Sequence, residues 1–264
     1  MRRVIYYNII IVAILIFFVS CKNIVNMVPA EFDKMIGQQF AAQSEMNPFG
    51  GEVLDRAKYA QSYKYLEKIK NHLLSSGKVK YKDDFEWNLK IIRNDSMLNA
   101  YCIAGGYIYV YTGIILFLDN EAQLAGVLAH EIAHADKRHT TRRIITSYGL
   151  GLAVYMILGT DFGILANITQ ELLGLSFSRA DEAEADEAAV EYMYASPYDA
   201  RSVGGFFKKM IDKHKDTKMP EFMSTHPSSE HRVDDIEKKW RDIGGKKGEY
   251  FAEEYKMLKN SVKN

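Results

Sequence analysis

His130-Glu131-Ile132-Ala133-His134 is the stretch on which the reading of this 264-residue chain turns. Two imidazoles four residues apart on a helix project from one face, about one turn from each other. That spacing lets both bind one small tetrahedral cation, for which Zn²⁺ is the usual occupant. Glu131 lies beside them, placed to take a proton from a metal-activated water. With seven histidines in the chain, composition alone gives such a pentapeptide about once in a hundred sequences. The flanks favour a helix. Asp119-Asn120 offers an N-cap, and Leu124, Val127, Leu128 and Ile132 follow at helical spacing, so residues 120–140 are expected to form one helix. The competing reading makes the histidines ordinary polar groups on a surface helix.

Catalytic zinc sites use three protein ligands plus water. The candidate for the third lies in Ser178-Arg179-Ala180-Asp181-Glu182-Ala183-Glu184-Ala185-Asp186. Glu182 and Asp186, four apart, share a helix face, whereas Glu184 points elsewhere. Glu182 as ligand and Asp186 as hydrogen-bonded support to a ligating histidine is a natural division of labour. An acidic helix alone is usually a solvated face. The histidine pair gives this one a different reading.

The 34 basic and 34 acidic residues cancel, so no charge excess argues for nucleic acid, and 47% hydrophobic content is ample for a core. Arg2-Arg3 precedes an apolar run, Ile9 to Val19, with the n-region and h-region of an export signal. The run ends Phe18-Val19-Ser20-Cys21, which resembles a bacterial lipobox, so cleavage before Cys21 and lipidation of Cys21 are expected. The alternative is an uncleaved signal anchor. Cys102, the other cysteine, lies in an apolar strand pattern and reads as a packed core residue.

The chain is expected to divide into a signal peptide (1–20), a tether (21–29), one mostly helical α+β domain (30–245) and a charged, solvated tail (246–264). Phe32, Met35, Ile36 and Phe40 form one helical stripe, and a tyrosine-rich helix runs to about Leu74 after the Pro48-Phe49-Gly50-Gly51 break. Trp87 to Ile92 and Leu98 to Ala104 read as strands. Gly105-Gly106 reads as a tight turn, and Tyr107 to Val110 as a half-buried return strand. Together they predict a small antiparallel sheet near the histidine helix. The apolar, glycine-rich 144–175 reads as two packed helices or an exposed apolar lip. Helices are expected at 179–195, 199–215 and 228–241.

HEIAH, then SRADEAEAD, then Thr225-His226-Pro227 with Arg232 beyond it, resembles the zinc metallopeptidases related to the CAAX prenyl endopeptidase and the HtpX heat-shock protease. Asn99-Ala100-Tyr101 through Gly105-Gly106-Tyr107-Ile108-Tyr109-Val110 matches the hairpin that precedes the metal helix in that family. The export signal fits its soluble periplasmic, BepA-like branch. The resemblance implies a zincin-like domain with one Zn²⁺ per chain held by His130, His134 and Glu182, and Glu131 as general base. It implies that Asp186 orients His130 or His134. His226 corresponds to a histidine near the metal, either capping it at rest or stabilising the oxyanion. Arg138 and His139 are supporting candidates, and Arg179 and Arg232 are candidate partners of the acidic helix.

The activity so implied is endoproteolysis of unfolded or misassembled envelope proteins. The protein would be lipid-anchored and face the periplasm, with the outer membrane favoured over the inner. The alternative is a latent zinc lipoprotein acting as a chaperone or assembly factor, with His226 capping the metal. A prenyl-type peptidase ranks below both, because such a site is enclosed by membrane spans and only one short apolar run stands at the N-terminus.

Overall fold

The computed structural model describes residues 24–46, 50–152, 176–213, 221–227 and 231–263. The elements in order are α1 (Ala30–Met46), β1 (Glu52–Val53), α2 (Ala60–Leu74), β2 (Leu89–Arg93), β3 (Ala100–Ile103), β4 (Tyr107–Tyr111), α3 (Thr112–Phe117), α4 (Glu121–Asp136), α5 (His139–Tyr148), α6 (Arg179–Tyr194), α7 (Ser202–Lys213), α8 (Glu221–Thr225), α9 (Arg232–Asp242) and α10 (Ala252–Lys263). This is the expected mostly helical α+β class. Cys21 and residues 153–175 lie outside the described residues, so the lipobox and most of the apolar 144–175 stretch do too. No described helix is long and apolar enough to cross a membrane.

Helix α4 is the axis of the molecule. Asn120 caps it, its Oδ1 accepting the Gln123 N–H at 2.9 Å. Every residue from Leu124 to Asp136 is buried, and small alanines let α6 and α7 approach closely. At Gly126 an added Cβ would lie 3.0 Å from the Val203 backbone of α7. The helix ends earlier than its apolar periodicity predicts. Arg138 adopts a left-handed conformation (φ 57°, ψ 39°), and a new helix, α5, starts at His139.

A non-glycine residue there is held only by its surroundings. Arg138 donates to the carbonyls of Val25, Val28 and Pro29 and is ion-paired with Asp33, which also accepts from Thr141. Residues 24–29 are therefore not a free tether. Val25 and Val28 are buried and their carbonyls bind the turn that ends α4.

The four strands lie in the order β1-β2-β4-β3. β3 and β4 form the expected hairpin, Cys102 opposite Ile108, around the Gly105-Gly106 turn, where both φ values are positive. β4 however pairs in parallel with β2, so the sheet is mixed rather than antiparallel. Alternating hydrophobicity specifies a hairpin but not which strand takes the hairpin's other edge. Nor is β4 half-buried. Ile108 and Val110 face α2 and α4, while Tyr107, Tyr109 and Tyr111 pack under α1, which supplies Phe32, Ile36 and Phe40. β3 is left at one edge of the sheet, beside α4.

The charged C-terminal stretch also packs. Tyr255, Leu258 and Val262 form a buried stripe on α10, and the Tyr255 hydroxyl donates to Ile115 O at 2.7 Å. The many lysines and glutamates hide a three-residue apolar face, which suffices once α2 is beside it.

Candidate metal centre

Four side chains from three places in the chain converge on one point. His130 Nε2 lies 3.0 Å from His134 Nε2 and 3.3 Å from His226 Nδ1. Glu182 Oε1 lies 3.0 Å from His226 Nδ1 and 3.5 Å from His134 Nε2. All four residues are buried. With ligand bonds of about 2.0–2.1 Å, the edge of a tetrahedron around a first-row cation is about 3.3 Å. The donor separations match that edge, and the three imidazole nitrogens and one carboxylate are a donor set such a cation prefers. The residues present fit a metal ion.

Each candidate donor is placed by its element. The pair on α4 follows from the four-residue spacing. Glu182 sits in the first turn of α6, where Ser178 Oγ accepts the Asp181 N–H at 3.1 Å and acidic residues match the helix dipole. His226 follows α8, its ring stacked on Phe222 at 4.5 Å and its N–H bonded to Phe222 O. The Phe177 ring lies tilted against His134 with centroids 4.0 Å apart, and the Arg143 guanidinium lies 3.9 Å from its centroid. These aromatic neighbours carried no local signal in the sequence.

Glu131 projects beside the cluster. Its Oε2 accepts the backbone N–H of Cys102 on edge strand β3 at 3.0 Å. Its Oε1 is buried without a hydrogen-bond partner and lies 3.5 Å from His226 Nε2. One oxygen thus fixes the carboxylate and the other stays available. Cys102 is buried, as expected of a core residue, and contributes through its amide.

Asp186 and Arg232 complete the surroundings. Asp186 Oδ1 is 2.9 Å from His130 Nδ1, so it orients His130 rather than His134. Arg232 pairs with Asp186 at 2.7 Å and with Glu182 Oε2 at 3.0 Å, lies 3.5 Å over the Phe207 ring and donates to the His226 carbonyl. Arg179 stands exposed at the start of α6. Glu184 turns away from the cluster, toward His139 and Arg142.

The electrostatics follow the geometry. Burial pushes the Glu182 carboxyl up, but His226, His130 and His134 outweigh it and hold it far below the usual carboxylate range. Burial pushes His130 down, and the carboxylates of Asp186 and Glu182 reverse this to about 9. Burial and the neighbouring His130 depress His134 strongly, and Glu182 at 3.5 Å offsets this only in part. Burial raises Glu131 against His226 and His130.

Residues 60–240 match the sequence model of Peptidase family M48. The chain belongs to that family. Its metal-dependent peptidases include relatives of two kinds. The chain is 30% identical over 159 residues to the beta-barrel assembly-enhancing protease of Escherichia coli (strain K12), covering 55% of this chain and 32% of that protein. Over 156 residues it is 28% identical to the same-named protein of Yersinia pestis, covering 54% and 32%. It is 29% identical over 224 residues to the mitochondrial metalloendopeptidase OMA1 of Schizosaccharomyces pombe, covering 83% and 64%. The chain therefore spans about a third of the length of the beta-barrel assembly-enhancing proteases it matches. M48 peptidases are metal-dependent, and the buried four-donor cluster is a group that could hold a metal ion.

Proposed function

We propose that this chain is a zinc endopeptidase of the bacterial cell envelope, holding one Zn²⁺ through His130, His134 and Glu182. The observation that carries this is the free Oε1 of Glu131 beside three convergent metal donors. Bound zinc supplies Lewis-acid chemistry, polarising a scissile carbonyl and lowering the pKa of water toward neutrality. Glu131 takes the proton from the attacking water and hands it to the leaving amine. Asp186 keeps His130 turned to the cluster, and Arg232 neutralises the acidic helix behind it. An extended, unfolded substrate pairs with the edge of β3, whose Cys102 also fixes Glu131. Backbone pairing reads extension more than sequence, which suits unfolded or misassembled envelope proteins. A lipid on Cys21 would hold the enzyme at the membrane.

The test is metal analysis and casein digestion with the purified protein. One zinc per chain is expected, with activity abolished by a chelator and restored by Zn²⁺. Digestion that is indifferent to chelation defeats the proposal.

One observation favours a resting state that is closed. His226 Nδ1 occupies the fourth corner of the donor set, where water would otherwise sit. In this reading His226 caps the metal until its segment moves, and the chain can bind client proteins while latent. His226→Ala is then expected to raise basal casein cleavage severalfold. A variant that binds zinc but cleaves nothing makes His226 an oxyanion donor and removes the cap.

A further inference from the structure

We propose that His139 is a positioning residue: it fixes, through a hydrogen bond between the two Nδ1 atoms, the tautomer of His134 that turns Nε2 toward the metal. This rests on the metal-site reading above. The two nitrogens are 2.9 Å apart, and both rings are buried and meet edge to face. A single proton can lie between them. His134 Nε2 faces His130 and Glu182, so its lone pair points into the cluster and its proton sits on Nδ1. His139 Nδ1 is then the acceptor, and its own proton is on Nε2. There it meets Glu184 Oε2 at 3.4 Å and Asp181 Oδ1 at 3.7 Å.

The two α4 histidines are thus supported differently. His130 reaches the carboxylate of Asp186 directly, at 2.9 Å. On its Nδ1 side, away from the cluster, His134 reaches carboxylates through a second imidazole. The group His139, Asp181 and Glu184 has itself the donor types of a metal site. Arg142 already supplies its cation, pairing with Asp181 and lying 3.1 Å from Glu184 Oε2. The carboxylates are therefore held in place as acceptors.

The backbone explains why His139 can do this. On a continuous helix, a residue five positions beyond His134 would lie about 140° round the axis from it. The left-handed Arg138 breaks α4 and returns His139 to the His134 ring. Residues 25–33, which bind the Arg138 guanidinium, brace that turn.

The test compares His139→Phe with His139→Asn in the purified protein. Zinc dissociation constants come from competition with a chromophoric chelator, and the ligand field from the visible spectrum of the Co²⁺ form. Phenylalanine keeps the ring and removes the acceptor. It is expected to weaken zinc binding about 10–100-fold and to shift the cobalt bands. Asparagine, whose Oδ1 can accept from His134 Nδ1–H, is expected to recover most of the loss. A side chain needed only for packing gives the reverse order, which overturns the proposal. ¹⁵N spectra of the zinc-loaded wild-type protein supply a readout free of any substitution: the proton of His139 is expected on Nε2, and finding it on Nδ1 overturns the relay. Wild-type protein that takes up no zinc overturns the metal-site reading along with it. Wild-type protein that binds zinc no more tightly than His139→Phe overturns the relay alone.

Discussion

Glu131→Gln is expected to retain its zinc and to cleave casein about 10²–10⁴-fold more slowly, the range over which a positioned general base contributes. The substitution is nearly isosteric. Its amide oxygen can keep accepting the Cys102 N–H, which leaves the amide nitrogen where Oε1 stood. Donor geometry at His130, His134 and Glu182 is then undisturbed while the proton acceptor is gone. Zinc content by metal analysis and casein turnover on one preparation check the result. Retained activity removes Glu131 from the role of base. Loss of zinc together with activity would mean that Glu131 builds the site rather than moving a proton through it.

The largest expected loss of stability lies away from the metal. Asp33→Ala is expected to cost about 3–5 kcal/mol, the penalty for leaving one member of a buried ion pair without its partner. Asp33 and Arg138 are both buried, the Arg138 side chain being 3% exposed. Three backbone carbonyls still accept from Arg138 in the variant, but none carries a full charge. Against a total stability of about 5–15 kcal/mol, such a loss leaves the protein marginal. Urea unfolding of metal-free protein, with the slope unchanged and the midpoint lowered, measures it. A loss under about 1 kcal/mol would show that the pair is not the brace of the α4–α5 turn. The same variant is expected to weaken zinc binding, because that turn carries His139.

Much of the site was legible in residues close together in sequence. His130 and His134 share a face because they are four apart, and Glu182 and Asp186 do so for the same reason. The Gly105-Gly106 turn and its flanking alternation specified the β3–β4 hairpin. The early stop of α4 was not legible. The residues after Asp136 favour helix well enough, and the break depends on carbonyls more than a hundred positions upstream. The packed residues 24–29 and the buried face of α10 were missed similarly. Their apolar side chains are few, and only a neighbouring element makes them a core.

By itself the sequence determined which groups could ligate a cation and which carboxylate could act as base, because a helix repeat is local physics that any chain of this pattern obeys. The tertiary structure decided which acceptor each imidazole found, Asp186 for His130 and His139 for His134. It also brought His226 into the fourth corner. Those choices join elements far apart in the chain and are selected by burial and hydrogen-bond completion, for which no short stretch of sequence carries a signature.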